Sequence, residues 1–103
     1  MDVLPRLQQW YAAQCDGDWE HQYGVLIETL DNPGWRVKID LAGTVLEDRP
    51  FTPVAVGVGA SDHPDQPRWF HCTVLDGVWQ GAGDETQLVR LLEVFLDWAS
   101  GVA

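Results

Sequence analysis

Basic residues are scarce in this 103-residue chain: six Lys and Arg stand against 16 Asp and Glu, for a formal charge of −10. The isoelectric point is near 4.3. Such a surface repels phosphate backbones and anionic headgroups, so neither a nucleic acid nor a membrane is expected as partner, whereas a basic protein would be steered towards it. Solubility alone would also account for the charge. Cysteine is nearly absent. Cys15 and Cys72 are too few for a disulfide scaffold, and as free thiols in a reducing compartment they read as small buried hydrophobes. No apolar run is long enough to span a bilayer, and the opening Met-Asp-Val-Leu-Pro lacks the basic region of a signal peptide. The expected location is therefore the cytoplasm. The chain also has no repeats, no low-complexity segment, no Gly-rich phosphate loop, no nucleophile elbow and no paired-cysteine or His-Glu-x-x-His metal motif.

What remains suits one compact domain. Hydrophobic residues make up 46% of the chain and six of them are tryptophan, which supplies a core and excludes disorder. Residues 3–14 have the period of an amphipathic helix, with Leu4, Leu7 and Tyr11 as its apolar stripe, Trp10 beside them, Asp2 as N-cap and Pro5 in the first turn. Residues 23–30 and 35–41 read as strands around the turn signal Asp31-Asn32-Pro33-Gly34. A three-residue loop pairing Ile27 with Ile39 and Glu28 with Lys38 keeps the carboxylate off the apolar face. A short returning strand is expected over 44–47, and another over 51–58 that Pro53 begins or places at an edge. A polar loop over 59–67 follows, its tip the best candidate for mobility.

Residues 68–75 form the next strand, and Asp76-Gly77 is a type I′ hairpin signal pairing Leu75 with Val78 and Cys72 with Gly81. This puts Phe70, Cys72, Val74 and Trp79 on the core face and Trp69, His71, Thr73 and Gln80 on the other. A closing helix starts at an Asp84 N-cap with Gln87 three residues on, and its stripe is Leu88, Leu91, Leu92, Phe95, Trp98 and Ala99. The expected fold is α+β: an antiparallel meander of four to six strands with an N-terminal and a C-terminal helix packed on one face.

Chemistry-bearing residues concentrate between Cys15 and His21. Cys15, Asp16, Asp18, Glu20 and His21, with His71 and Cys72, include every ligand type that zinc uses. Their spacing fits no metal motif, and strand alternation sends His71 and Cys72 to opposite faces, so neither a metal nor another cofactor is expected. Glu20 and His21 beside Asp18 could serve acid–base chemistry and Cys15 could act as a nucleophile, which keeps a small metal-binding or hydrolytic enzyme as the alternative. The preferred reading is a protein-binding surface. Asp16, Asp18, Glu20 and Glu28 supply charge, His21 lies among them, and Trp19 and Trp69 are candidate aromatic anchors. Ordinary packing would explain both tryptophans equally well.

Several stretches are also similar to a known family. Leu7-Gln8-Gln9-Trp10-Tyr11, Gln14-Cys15-Asp16-Gly17-Asp18-Trp19-Glu20-His21, Tyr23-Gly24-Val25 and Thr29-Leu30-Asp31-Asn32-Pro33-Gly34-Trp35 resemble the opening of the bacterial immunity protein 53 family. Val37, Ile39-Asp40-Leu41, Cys72, Gly81-Ala82-Gly83 and a terminal helix with Phe95 and Trp98 continue the likeness, which is weakest between Glu47 and Gln66. The resemblance implies a non-enzymatic cytoplasmic antidote of a polymorphic toxin system that binds and neutralises a cognate toxin domain. It carries over no catalytic residue. An acidic domain with aromatic anchors would suit a basic toxin, such as a nuclease with a positive substrate groove.

Overall fold

The computed structural model describes residues 2–59, 64 and 66–101. Its elements are helix α1 (Val3–Gln14), a single helical turn α2 (Trp19–Gln22), strands β1 (Val25–Leu30), β2 (Gly34–Asp40), β3 (Val54–Val56), β4 (Phe70–Leu75) and β5 (Val78–Gly83), and helix α3 (Leu88–Ala99). The five strands make one antiparallel sheet, and the helices pack on one side of it, the expected α+β class. The strand order is β1-β2-β5-β4-β3. The chain thus builds a hairpin (β1–β2) and a three-stranded meander (β3–β4–β5) and joins them along a β2–β5 seam, where Trp35 pairs with Gly83 and Asp40 with Val78.

The β4–β5 hairpin has the expected register, Leu75 with Val78 and Cys72 with Gly81. Asp76 and Gly77 both take positive φ, 53° and 77°, as a type I′ turn requires. The β1–β2 hairpin keeps its three-residue loop and its facing but lies two residues out of the expected register. Ile27 pairs with Val37, and Glu28 with Arg36 rather than Lys38. Gly34 is the reason, because it belongs to the strand and not to the turn. A Cβ there would run into the carbonyl oxygen of Gly83, so glycine is what allows β2 to approach β5 at that end.

Three further expectations change. The buried stripe of α1 is Val3 and Leu7 with half-buried Trp10, while Leu4 and Tyr11 are exposed. Both sets have helical spacing, and α3 selects the first. Residues 44–47 form no strand. Thr44 Oγ1 donates to Leu41 O and accepts from Leu46 N, and successive amides of Thr44, Glu47 and Arg49 close tight turns. Those turns drive Leu46 fully into the core and carry the chain to the far sheet edge. There Arg49 donates to the carbonyls of Trp98 and Ala99 at the α3 C-terminus, and Trp98 Nε1 donates to Pro50 O. Finally, α3 begins at Leu88, and Gln87 rather than Asp84 precedes it. The tip of the 59–67 loop lies outside the described residues.

The core fills the space between the sheet and α1 and α3. Leu91, Leu92, Phe95 and Leu96 meet Val37, Ile39, Cys72 and Trp79. Edge-on aromatic pairs cross it: Trp10–Phe95 at 5.0 Å, Phe95–Trp79 at 5.3 Å and Phe51–Trp98 at 5.2 Å between centroids. Each is worth about 0.5–1.5 kcal/mol beyond the area it buries.

Candidate binding surfaces

The residues singled out in the sequence fall in two places. Asp16, Asp18, Trp19, Glu20 and His21 stay together in the α1–α2 connection and the α2 turn that follows it. Glu28 and Trp69 lie on the sheet face away from the helices.

In the connection, carboxylates fold the loop back on itself. Asp16 Oδ1 accepts from the amides of Asp18 and Trp19, both at 2.9 Å, and so serves as the cap that α2 otherwise lacks. Glu20 answers from within the turn, accepting from Asp16 N at 3.0 Å and Gly17 N at 2.9 Å. These bonds hold both acids below the usual carboxylate range. Asp16 is lowered first by the Trp19 amide and then by that of Asp18. Glu20 is lowered first by its own amide and then, against some desolvation, by those of Asp16 and Gly17. Asp18 is exposed and its carboxylate accepts from Gln22 Nε2, while His21 is exposed in α2.

Trp19 is not an exposed anchor. It is 5% accessible, its Nε1 donates to Ala42 O at 2.8 Å, and its ring stands edge-on to Trp10 at 6.2 Å. It pegs α2 to α1 and to the turn after β2. The aromatics that do reach solvent are its neighbours, Tyr11 at 38% and Tyr23 at 37%, each 6.1 Å from its ring. The acidic loop is therefore flanked by two exposed tyrosines. Their signal in the sequence was weak, since Tyr11 lies on an apparent core stripe and Tyr23 at a strand start.

The outer sheet face holds a groove of about 680 Å³. Strand pairing brings Arg36, Ala82 and His71 into one row across it and Lys38, Gln80 and Thr73 into the next. Glu28 faces Arg36 from β1 at 3.7 Å, a loose and exposed ion pair. Trp69 is only 6% accessible; it stacks on His71 with centroids 5.8 Å apart and helps line the groove. Alternation alone assigns Arg36, Lys38, Thr73 and Gln80 to this face. That they form one site depends on the β2–β5 seam.

His71 and Cys72 do project to opposite faces, and among the described residues no three His, Cys, Asp or Glu gather to hold a metal ion. Burial pushes the Cys72 thiol up to about 12, whereas Cys15 is half-exposed, its Sγ donating to Tyr11 O. Alkylation of the native protein at pH 8 is accordingly expected to label Cys15 and leave Cys72 thiol until the fold is denatured, as intact-mass spectrometry would read. Two rapid additions under native conditions would contradict the buried placement of Cys72.

Taken together, the fold and its surfaces define a small one-sided α+β domain with a groove on its open sheet face and an acidic, tyrosine-flanked loop, and no described helix is long and apolar enough to cross a membrane. A family model supplies the rest: immunity protein 53 matches residues 4–100. The chain belongs to the immunity protein 53 family. No curated protein and no solved structure gives a match.

Proposed function

We propose that this chain is the cytoplasmic antidote of a bacterial polymorphic toxin system, acting by binding a cognate toxin domain and not by catalysis. Family membership over nearly the whole chain is the observation that carries this reading. The α1–α2 loop is its contact surface: Asp18 with Asp16, Glu20 and His21, flanked by Tyr11 and Tyr23. Tyrosine combines a large rigid contact area with a polar tip, and carboxylates around it select a basic partner. A toxin with a positive active-site groove, such as a nuclease, meets this description. A net charge of −10 would accelerate its capture at low ionic strength. Trp19 acts here from beneath, fixing the loop that carries the contacts. The rival reading, a hydrolase in the same loop, asks Asp16 and Glu20 to abandon the backbone amides that shape it.

Co-expression with the toxin domain encoded beside the chain tests the proposal through growth rescue and co-purification. Asp18→Lys combined with Tyr23→Ala gives up the Asp18–Gln22 contact but leaves the bonds from Asp16 and Glu20 to the backbone amides in place, and it should weaken toxin binding by roughly tenfold or more, with a shallower salt dependence. Unchanged affinity in that folded variant would remove the loop as the contact surface. His21→Ala should still rescue growth, whereas loss of rescue with binding intact would favour chemistry.

A further inference from the structure

The groove on the outer sheet face has a charge opposite to that of the chain around it. Of the six cations, Arg6 is paired with Asp97, Arg68 with Asp84, and Arg49 is held by carbonyls of α3. Arg90 is exposed on α3 and, like Lys38, has no ion pair among the described residues, while Arg36 has only the loose contact with Glu28. Arg36 and Lys38 stand two residues apart on β2, about 7 Å along the strand, and both line the groove, where Asp31 is the one carboxylate among the described lining residues.

The groove's cross-section follows from the strand pairing. Arg36 and Lys38 form one wall on β2, and His71 and Thr73 form the other on β4. Between them runs β5, where Ala82 is buried and raises only a methyl group between Arg36 and His71. The walls stand two strand spacings apart, about 10 Å between backbones. Once their side chains are counted, that width fits an extended segment lying along β5 and is too narrow for a helix. Both walls present N–H or O–H donors, and Gln80 adds an amide between Lys38 and Thr73.

We infer that this groove seats an extended, carboxylate-bearing segment of the toxin, its acidic side chains on Arg36 and Lys38. The inference rests on the reading that the chain binds a toxin, and it adds a second contact of opposite sign to the acidic loop. A partner must then be basic where it meets the loop and acidic where it enters the groove. Such a two-signed pattern fixes orientation and rejects proteins that are merely basic.

The test uses the double variant Arg36→Gln/Lys38→Gln, both sites exposed or half-exposed on the sheet surface, after confirming an unchanged amide spectrum. An acetylated, amidated peptide of alternating Glu and Asp, at millimolar concentration, should shift the amide resonances of Arg36, Lys38, His71 and Thr73. The Lys counterpart should not, and the double variant should show no response. Absence of groove shifts with the acidic peptide, or shifts that persist in the double variant, would overturn the inference. With the toxin domain encoded beside the chain, the double variant should lose at least tenfold in affinity. If the unaltered chain binds that toxin and the variant binds it equally well, the groove is not a toxin contact although the functional reading stands. If the unaltered chain does not bind it, the functional reading fails, and this inference with it.

Discussion

Replacing Asp84 by Ala should cost about 3–5 kcal/mol, out of a total that for a domain of this size is about 5–15 kcal/mol. Asp84 is 1% accessible and ties the end of β5 to the start of β4. Its Oδ1 accepts from Arg68 Nη1 at 2.7 Å, Thr86 N at 2.9 Å and Thr86 Oγ1 at 2.6 Å, and its Oδ2 from Trp69 N at 2.7 Å. The backbone completes the clasp, Asp84 N donating to Trp69 O. With Ala the Trp69 amide loses its acceptor at a buried site, and the Arg68 and Thr86 donors lose the carboxylate that draws them together. Asp84→Asn should rescue little, because an amide nitrogen must face either Trp69 N–H or the Arg68 and Thr86 donors, and both positions require an acceptor. Urea denaturation of both variants at pH 7 measures the loss. An Asn variant as stable as the native chain would mean that the charge and the fourfold acceptance contribute nothing.

The same carboxyl sets the acid limit. Burial by itself would raise its pKa, but the bonds from the Thr86 hydroxyl and amide, the Trp69 amide and Arg68 together hold it well below the usual carboxylate range. A group depressed in the folded state stabilises it fully above the unfolded pKa of about 4 and loses that contribution as pH falls through the folded value. Asp16 and Glu20 are shifted in the same direction. Stability should therefore fall steadily below about pH 4, and the fall should be shallower in Asp84→Asn, whose lost contribution cannot be titrated away.

The second large effect is at Trp79, whose replacement by Ala should cost about 3–5 kcal/mol. The side chain is fully buried, sits 5.3 Å from Phe95 and 6.2 Å from Phe51 by ring centroid, and covers Gly81, where any Cβ would press into its ring. That contact explains the small residue two positions along the same strand. Nε1 of Trp79 finds no hydrogen-bond partner among the described residues. Trp79→Phe removes that unsatisfied donor along with part of the ring, so it should cost much less, about 1–2 kcal/mol. Thermal or urea unfolding separates the two. A Phe variant as unstable as the Ala variant would show that indole volume, and not the unpaired N–H, dominates.

Local signals were legible in the sequence and remote ones were not. The β4–β5 hairpin follows from Asp76-Gly77 and from the alternation on either side, both within a few residues. The stripe of α3 is equally self-contained, although Leu96 also belongs to the buried set. By contrast, α1 offers two apolar faces sharing Leu7, and only packing against α3 chooses between them. Asp84 looks like a helix cap because its acceptors suit one, and Thr86 two residues on does donate to it; its remote donors, Trp69 and Arg68, come from the segment just before β4.

The candidate loop shows the same division. Its acids were visible, and the Gly17–Glu20 spacing is that of a residue reaching back to a turn amide. The burial of Trp19 depends on a carbonyl at Ala42, supplied only once β2 has folded. The groove was half visible: alternation shows which side chains face outwards, but not that β2 lies against β5.

That seam also bears on how quickly the molecule can assemble. Each hairpin closes across a loop of two or three residues, whereas joining Trp35 to Gly83 or Ile39 to Trp79 encloses a large part of the chain. Within the sheet this is the pairing with the longest loop to close, and it is the junction that brings Ile39 and Trp79 into the core and completes the walls of the groove. The groove cannot exist in any partly folded form that has not reached that closure.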